Sequence, residues 1–62
     1  MKLKQLREDN NLSQSEIANF LNIKQNTYSQ YETGKRQLPI DTLIKIAKYY
    51  NVSTDYILDL ED

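Results

Sequence analysis

Glycine and proline each occur once in this chain, at Gly34 and Pro39. These residue types interrupt helices most strongly, because glycine costs backbone entropy and proline lacks the amide hydrogen. The two residues bracket one predicted loop, 34–38, and no segment of strand length alternates apolar and polar residues with period two. We therefore predict an all-α chain forming a single domain over residues 1–62, with a solvated acidic tail at 59–62.

Helix starts are marked by capping patterns. In segment 12–17, Ser13 can cap a helix and Glu16 follows three residues later, which makes a capping box between two apolar residues. Segment 52–57 is similar, with Ser53 as the cap, Asp55 in the first turn and apolar residues at both ends, and Pro39 suits the first turn of another helix. Together with the apolar periodicity, these signals predict five helices, at residues 2–9, 14–21, 25–33, 39–50 and 54–58.

The clearest apolar stripe lies on the fourth predicted helix. It consists of Ile40, Leu43, Ile44, Ala47 and Tyr50, which follow the i, i+3, i+4, i+7 spacing of one helical face. We expect this stripe to face the core.

Composition narrows the function classes. The chain has no histidine and no cysteine, so we predict no structural zinc site, no disulfide and no cofactor. Gly34 stands alone, so there is no glycine-rich phosphate loop, and without histidine an enzyme is not expected. No apolar run approaches a membrane span. We expect no membrane association, no small-molecule ligand and a cytoplasmic location.

Charge is unevenly distributed along the chain. The net charge is −1, but residues 1–38 carry six basic and four acidic side chains, whereas residues 39–62 carry two basic and five acidic ones. The first part could approach phosphates, while the end of the chain would repel them. The weak overall charge predicts weak non-specific binding to DNA.

Two short helices joined by a tight turn form the most informative segment, at about residues 14–33. Asn22 can adopt the left-handed conformation that ends a helix, and the apolar Ile23 in the turn should point into the core. Ala18 is small where the two helices should approach most closely. These features are typical of a helix-turn-helix.

The chain resembles the Cro/C1-type (XRE family) helix-turn-helix proteins, which include phage repressors and bacterial regulators. The resemblance rests on segments 6–7, 12–18, 31–36, 42–47 and 52–57. It implies a five-helix, lambda-repressor-like domain that reads double-stranded DNA in the major groove, in a bacterial or phage-encoded protein associated with the nucleoid when bound.

The resemblance also implies roles for individual residues. Bases in the major groove would be contacted by one face of the third predicted helix, which carries Gln25, Asn26, Ser29 and Gln30. Contacts with the DNA backbone are expected from Gln14, Lys24, Thr27, Thr33, Lys35 and Arg36. Arg7 and Glu32 match a structural ion pair. Lys24 departs from the family pattern, because a serine or threonine usually caps the helix that reads the DNA. The loss of that capping hydrogen bond costs about 1 kcal/mol.

The spacing of these residues agrees with that interpretation. Gln25 with Ser29, and Asn26 with Gln30, are i, i+4 pairs and share one outward face, while Tyr28 points the other way. Asparagine and glutamine amides can pair with the base edges of adenine.

Two hypotheses remain open at this stage. The first is a repressor-like transcriptional regulator that binds a near-palindromic operator as a homodimer, with Tyr56, Leu58 and Leu60 at the dimer surface. The second is a protein-binding module of the same fold, such as an antitoxin or an adaptor.

Overall fold

Five α-helices form the fold in the computed structural model, which describes residues 1–60. They are α1 (Leu3–Asp9), α2 (Gln14–Phe20), α3 (Gln25–Thr33), α4 (Ile40–Tyr50) and α5 (Thr54–Ile57). Residues 1–60 contain no strand. The all-α, five-helix prediction is confirmed, and the predicted bounds differ from the observed ones by at most one residue at each end.

The serine caps form as predicted. Ser13 Oγ accepts from the Glu16 amide at 3.0 Å and Glu16 Oε1 accepts from the Ser13 amide at 2.9 Å, which completes the capping box. Ser53 Oγ accepts from the Tyr56 amide at 3.0 Å. Lys24, before α3, forms no side-chain capping bond, so the departure seen in the sequence is present in the structure.

Asparagine in the left-handed region follows three of the helices. Asn22 has a φ of 58°, as predicted, and Asn11 and Asn51 each have a φ of 56°, which the sequence did not lead us to expect. Gly34, with a φ of 78°, ends α3. Asparagine tolerates this conformation better than other non-glycine residues, since its short polar side chain can hydrogen-bond locally.

All five helices contribute to one apolar core. It contains Leu3, Leu6, Ile17, Ala18, Leu21, Tyr28, Tyr31, Leu43, Ile46, Ala47 and Ile57. Partly buried apolar and aromatic side chains pack against it, among them Ile23 and Tyr50.

The predicted stripe on α4 is partly wrong. Ile40 is 76% exposed and Ile44 is 43% exposed, whereas Ile46, outside the predicted stripe, is fully buried. The buried face therefore runs through Leu43, Ile46 and Ala47. The helix is rotated relative to the prediction, because a second register with the same spacing is the one that packs on the core.

The first and last described segments lie side by side. The Lys2 amide donates to the Ile57 carbonyl at 2.8 Å, and the Lys2 ammonium donates to the Asp59 carboxylate. The hydrogen bonds from Lys2 and the N-terminal ammonium lower the pKa of Asp59 to about 2. The predicted acidic tail thus begins with a paired carboxylate, and the rest of that tail, Glu61 and Asp62, lies outside the described residues.

Within the described part of the chain, no helix has the length and apolar character needed to cross a bilayer.

Candidate nucleic-acid interface

The segment from α2 to α3 has the geometry of a helix-turn-helix. The two helices pack against each other, and Ala18 of α2 is 2% exposed. After Asn22 reverses the chain, the Ile23 amide donates to the Ala18 carbonyl at 3.0 Å, and the Ile23 side chain packs against the core. The turn residues therefore occupy the positions that the sequence predicted.

The third helix, α3, has a buried aromatic face and an outward polar face. Tyr28 is fully buried and Tyr31 is 6% exposed. The outward face, which we call the reading face, carries two exposed amides and two half-buried polar groups: Gln25, Asn26, Ser29 and Gln30. The buried tyrosines fix the rotation of α3 about its axis, and the reading face is consequently held toward solvent.

A shallow depression joins α2 to the reading face. It is lined by Gln14, Gln25, Asn26 and Ser29. The first residue of α2 is thus brought beside three residues of the reading face, although ten positions or more separate them in sequence. All four side chains end in amides or a hydroxyl, which can donate to phosphate oxygens or to base edges.

An ion pair on the inner side of this depression holds Gln14. Arg7 donates from Nε to Glu32 Oε2 at 2.7 Å and from Nη2 to Oε1 at 3.3 Å. Arg7 Nη1 also donates to the Leu12 carbonyl at 3.0 Å. Gln14 Nε2 donates to Glu32 Oε1 at 3.1 Å. One carboxylate therefore connects α1, the start of α2 and the end of α3.

The electrostatics of Glu32 follow from this arrangement. Burial by itself would raise the pKa of Glu32, but the hydrogen bonds from Arg7 and Gln14 and the nearby Tyr28 hydroxyl outweigh it, so this pKa lies below its ordinary value. Burial raises the pKa of Tyr28, and the neighbouring Glu32 carboxylate raises it further. The carboxylate therefore stays ionised and keeps both Arg7 and Gln14 in place.

Positive side chains stand at both ends of α3. Lys24 is exposed and lines a depression with Thr27 at the helix-turn-helix turn. Lys35 and Arg36 are exposed in the loop after α3. This layout places cations around the amides of the reading face, as a surface that meets phosphates on both sides of a groove requires.

Two predicted backbone contacts have part of their hydrogen-bonding capacity already in use. The Thr33 hydroxyl lies within hydrogen-bond distance of two carbonyls of α3, that of Ser29 at 3.2 Å and that of Gln30 at 3.3 Å, and its single hydrogen is shared between them. Arg36 Nε donates to Gln30 Oε1 at 2.9 Å. The sequence did not predict either the Arg36–Gln30 contact or the Gln14–Glu32 contact, since both depend on how the loops return the chain.

The three residues predicted at a dimer surface differ in exposure. Tyr56 is half-buried against the core, and the Lys2 ammonium lies 5.4 Å from the centre of its ring. Leu58 and Leu60 are 38% and 68% exposed. Leu58 lines a mostly apolar groove, which we call the apolar groove, between the loop after α3 and the segment after α5. The other lining residues are Met1, Gly34, Arg36, Gln37, Leu38, Pro39, Ile40 and Leu43.

Comparison with known proteins gives a consistent result. A family model described as helix-turn-helix matches residues 3–57. Over 98% of its length the chain is 43% identical to the HTH-type transcriptional regulator ImmR and 38% identical to the uncharacterized HTH-type transcriptional regulator YobD, both from Bacillus subtilis. Over 82% of its length it is 39% identical to the cryptic phage CTXphi transcriptional repressor RstR of Vibrio cholerae.

These alignments cover 48% of ImmR, 54% of YobD and 46% of RstR, so the chain spans about half the length of the curated relatives it matches. No solved structure matches the chain.

Proposed function

The chain belongs to the helix-turn-helix family, in its Cro/C1 (XRE) branch, and from that premise we propose that it is the sequence-specific DNA-binding domain of a repressor-like transcriptional regulator. It would act on double-stranded DNA in the bacterial cytoplasm, at the nucleoid. The relatives' names support a regulatory role, since ImmR is called a transcriptional regulator and RstR a transcriptional repressor.

The observation that carries the proposal is the two-faced character of α3. Its tyrosines are buried while Gln25 and Asn26 are exposed and Ser29 and Gln30 remain half-exposed. A helix of this width fits the major groove, and its amides match the donor and acceptor pattern that base pairs present there. We propose base reading for these four residues.

Contacts with the DNA backbone would come from the rim of this face. Gln14 at the start of α2 and Lys24 and Thr27 at the turn form one side, and Thr33, Lys35 and Arg36 form the other. The Gln14 amide has one N–H engaged by Glu32, which leaves the second for a phosphate oxygen. Because few cations are available, we expect a shallow salt dependence and weak binding to non-specific DNA.

We further propose that the regulator binds as a homodimer through the apolar groove. Ile40 and Met1, which line it, are 76% and 50% exposed, and clustered apolar exposure of this kind is typical of protein interfaces. The groove includes Arg36 and Gln37 of the loop that follows α3, so a self-complementary contact there would bring the α3 helices of both copies to the same side of the dimer. Leu58 lines this groove and the exposed Leu60 lies two residues further along the chain, whereas Tyr56 packs against the core.

Selection of bound sequences from random double-stranded DNA at ~150 mM salt tests the proposal. We expect a palindromic motif whose half-sites lie about 34–36 Å apart, or one helical turn. Absence of any enriched motif with folded protein would contradict DNA reading. A single half-site motif would retain DNA reading and contradict the dimer.

Replacing one reading residue gives a sharper test. Gln30→Ala should weaken binding to the selected operator by about 1–3 kcal/mol and relax one base position. Gln5→Ala, which removes an exposed amide from α1, is the matched control and should bind as the wild type does. Titration of labelled operator measures both, and a Gln30→Ala protein with wild-type affinity and preference would refute this site assignment.

A further inference from the structure

Arg36 makes two hydrogen bonds to Gln30, a residue of the reading face. Its side-chain Nε donates to Gln30 Oε1 at 2.9 Å, and its backbone amide donates to the Gln30 carbonyl at 3.2 Å. Gly34, in the left-handed conformation, reverses the chain between the two residues. The backbone bond keeps position 36 beside Gln30, so the side-chain bond does not have to order the loop by itself.

The chemistry of the two groups fixes the orientation of the Gln30 amide. A guanidinium group has five N–H donors and no acceptor. Arg36 Nε can therefore face only the oxygen of the Gln30 carboxamide, and the NH2 group of Gln30 is directed away from Arg36. An unrestrained glutamine could turn its amide over, and this one is held in one orientation before any DNA arrives.

We propose that Arg36 is a specificity-determining residue that positions Gln30 so that its NH2 group enters the major groove. This inference rests on the proposed function. Guanine N7 and O6, adenine N7 and thymine O4 all accept from an NH2 group there, but only guanine presents two adjacent acceptors, since adenine presents one acceptor and one donor. Because the bond from Arg36 holds the Gln30 oxygen on the Arg36 side and leaves the NH2 group facing the groove, Gln30 selects guanine, with its two acceptors, over adenine at the base it contacts.

Arg36 keeps its role at the DNA backbone in this arrangement. Only Nε is engaged with Gln30, so the Nη groups remain available to a phosphate oxygen. One guanidinium would then link a phosphate contact to a base contact. The bond strengthens when DNA excludes water from the interface, since electrostatic attraction increases in a low dielectric.

The experiment compares sequence selection and salt dependence for six proteins: wild type, Gln30→Ala, Arg36→Lys, Arg36→Ala, the double variant Gln30→Ala/Arg36→Ala and the control Lys35→Ala. The position that Gln30 reads is the one whose preference disappears in Gln30→Ala. In Arg36→Lys a methylene replaces Nε while the positive charge stays. Lys35→Ala removes a neighbouring loop cation that makes no contact with the reading face.

We expect the wild type to select guanine at the Gln30 position. Arg36→Lys should reduce the guanine-over-adenine preference there, by roughly 5-fold or more, with an unchanged salt slope. Arg36→Ala should relax the same position and also make the salt slope shallower by about 1. Lys35→Ala should lower affinity for all sequences with no change in base preference. Relaxation in Arg36→Ala alone would also support the proposal, with the lysine ammonium replacing Nε.

Three results would overturn the inference. One is a wild-type preference at the Gln30 position in both Arg36 variants, and another is selection of adenine there by the wild type. The third is a change of base preference when Arg36→Ala is added to Gln30→Ala, since Arg36 would then read a base itself. A wild type that selects no motif would overturn the proposed function as well, and is thereby distinguished from these three.

Discussion

Among residues 1–60, ion pairs connect distant parts of the chain at two places, Arg7–Glu32 and Asp59 with Lys2 and the N-terminal ammonium, and these places lie in different surroundings. In the first, the side chains of Arg7 and Glu32 are 12% and 4% exposed and share two hydrogen bonds. In the second, the side chains of Lys2 and Asp59 are 31% and 44% exposed. The first pair sits beneath the reading face, and the second joins the start of the chain to the segment after α5.

The contrast between the two places shows which charges the stability of the fold depends on. A buried charge that loses its partner cannot recover its hydration, so breaking such a pair is costly. Exposed partners are hydrated before and after separation, and salt screens them. The chain therefore depends on the pair that also holds Gln14, and much less on the pair at its ends.

The largest effect is expected from Glu32→Gln. The variant leaves the Arg7 guanidinium without its counter-ion and should lower the free energy of unfolding by about 3 kcal/mol. Urea denaturation followed by circular dichroism measures this loss. The double variant Arg7→Met/Glu32→Leu should recover much of it, since apolar pairs can replace buried ion pairs. A loss below about 0.5 kcal/mol in Glu32→Gln would show that this pair behaves like an exposed one.

The pH dependence of unfolding in the wild type and in Glu32→Gln tests whether ionised Glu32 stabilises the fold. The folded pKa of Glu32 lies below its ordinary value of 4.5. The contribution of Glu32 to the free energy of unfolding is therefore fully present above pH 4.5 and is lost as the pH falls through the lower pKa of the folded state. Glu32→Gln should lack this part of the acid dependence.

An intermediate effect, of opposite sign, is expected from Tyr50→Phe. The Tyr50 hydroxyl is buried with no hydrogen-bond partner within residues 1–60, and burial raises its pKa to about 12. Removing the hydroxyl breaks no hydrogen bond and should raise stability by up to about 1 kcal/mol. Tyr49→Phe, on an exposed neighbour, is the control in the same denaturation experiment. A clear loss of stability would mean that Tyr50 supports the nearby Arg7–Glu32 pair.

The smallest effect is expected from Asp59→Asn. The pKa of Asp59 is lowered from 3.8 to about 2, so its stabilisation is present above pH 3.8 and lost between pH 3.8 and about 2. At neutral pH and low salt the unfolding midpoint should fall slightly, and at ~1 M salt the difference from wild type should vanish. A change as large as that of Glu32→Gln, or one insensitive to salt, would contradict the distinction between the two pairs.

Local signals in the sequence predicted most of the fold. Ser13 and Ser53 begin helices where their patterns stand, because capping depends on residues three positions apart. Asn22 ends α2 as expected, for the same local reason. The α4 register was not predicted correctly: the spacings that include Ile40 and Ile46 are both helical, and only packing against the other helices chooses between them.

The sequence predicted which residues form the candidate site but not the hydrogen bonds between their side chains. The reading face follows from i, i+4 spacing on one helix. The Gln14–Glu32 bond spans 18 positions and needs the helix-turn-helix angle to form. The Arg36–Gln30 bond needs the chain reversal at Gly34. Contacts of this kind arise from tertiary geometry, which no short pattern encodes.

The left-handed asparagines bear on how much folded protein a cell contains. Asn11 and Asn51 are exposed, follow α1 and α4, and lie outside the reading face and its rim. Each holds a conformation that glycine adopts with less strain but greater entropic loss. Substitutions there would change stability in small steps, and in a marginally stable domain such steps alter cellular abundance several-fold. The amount of folded protein can therefore change through substitutions at these two helix ends while the reading face stays the same.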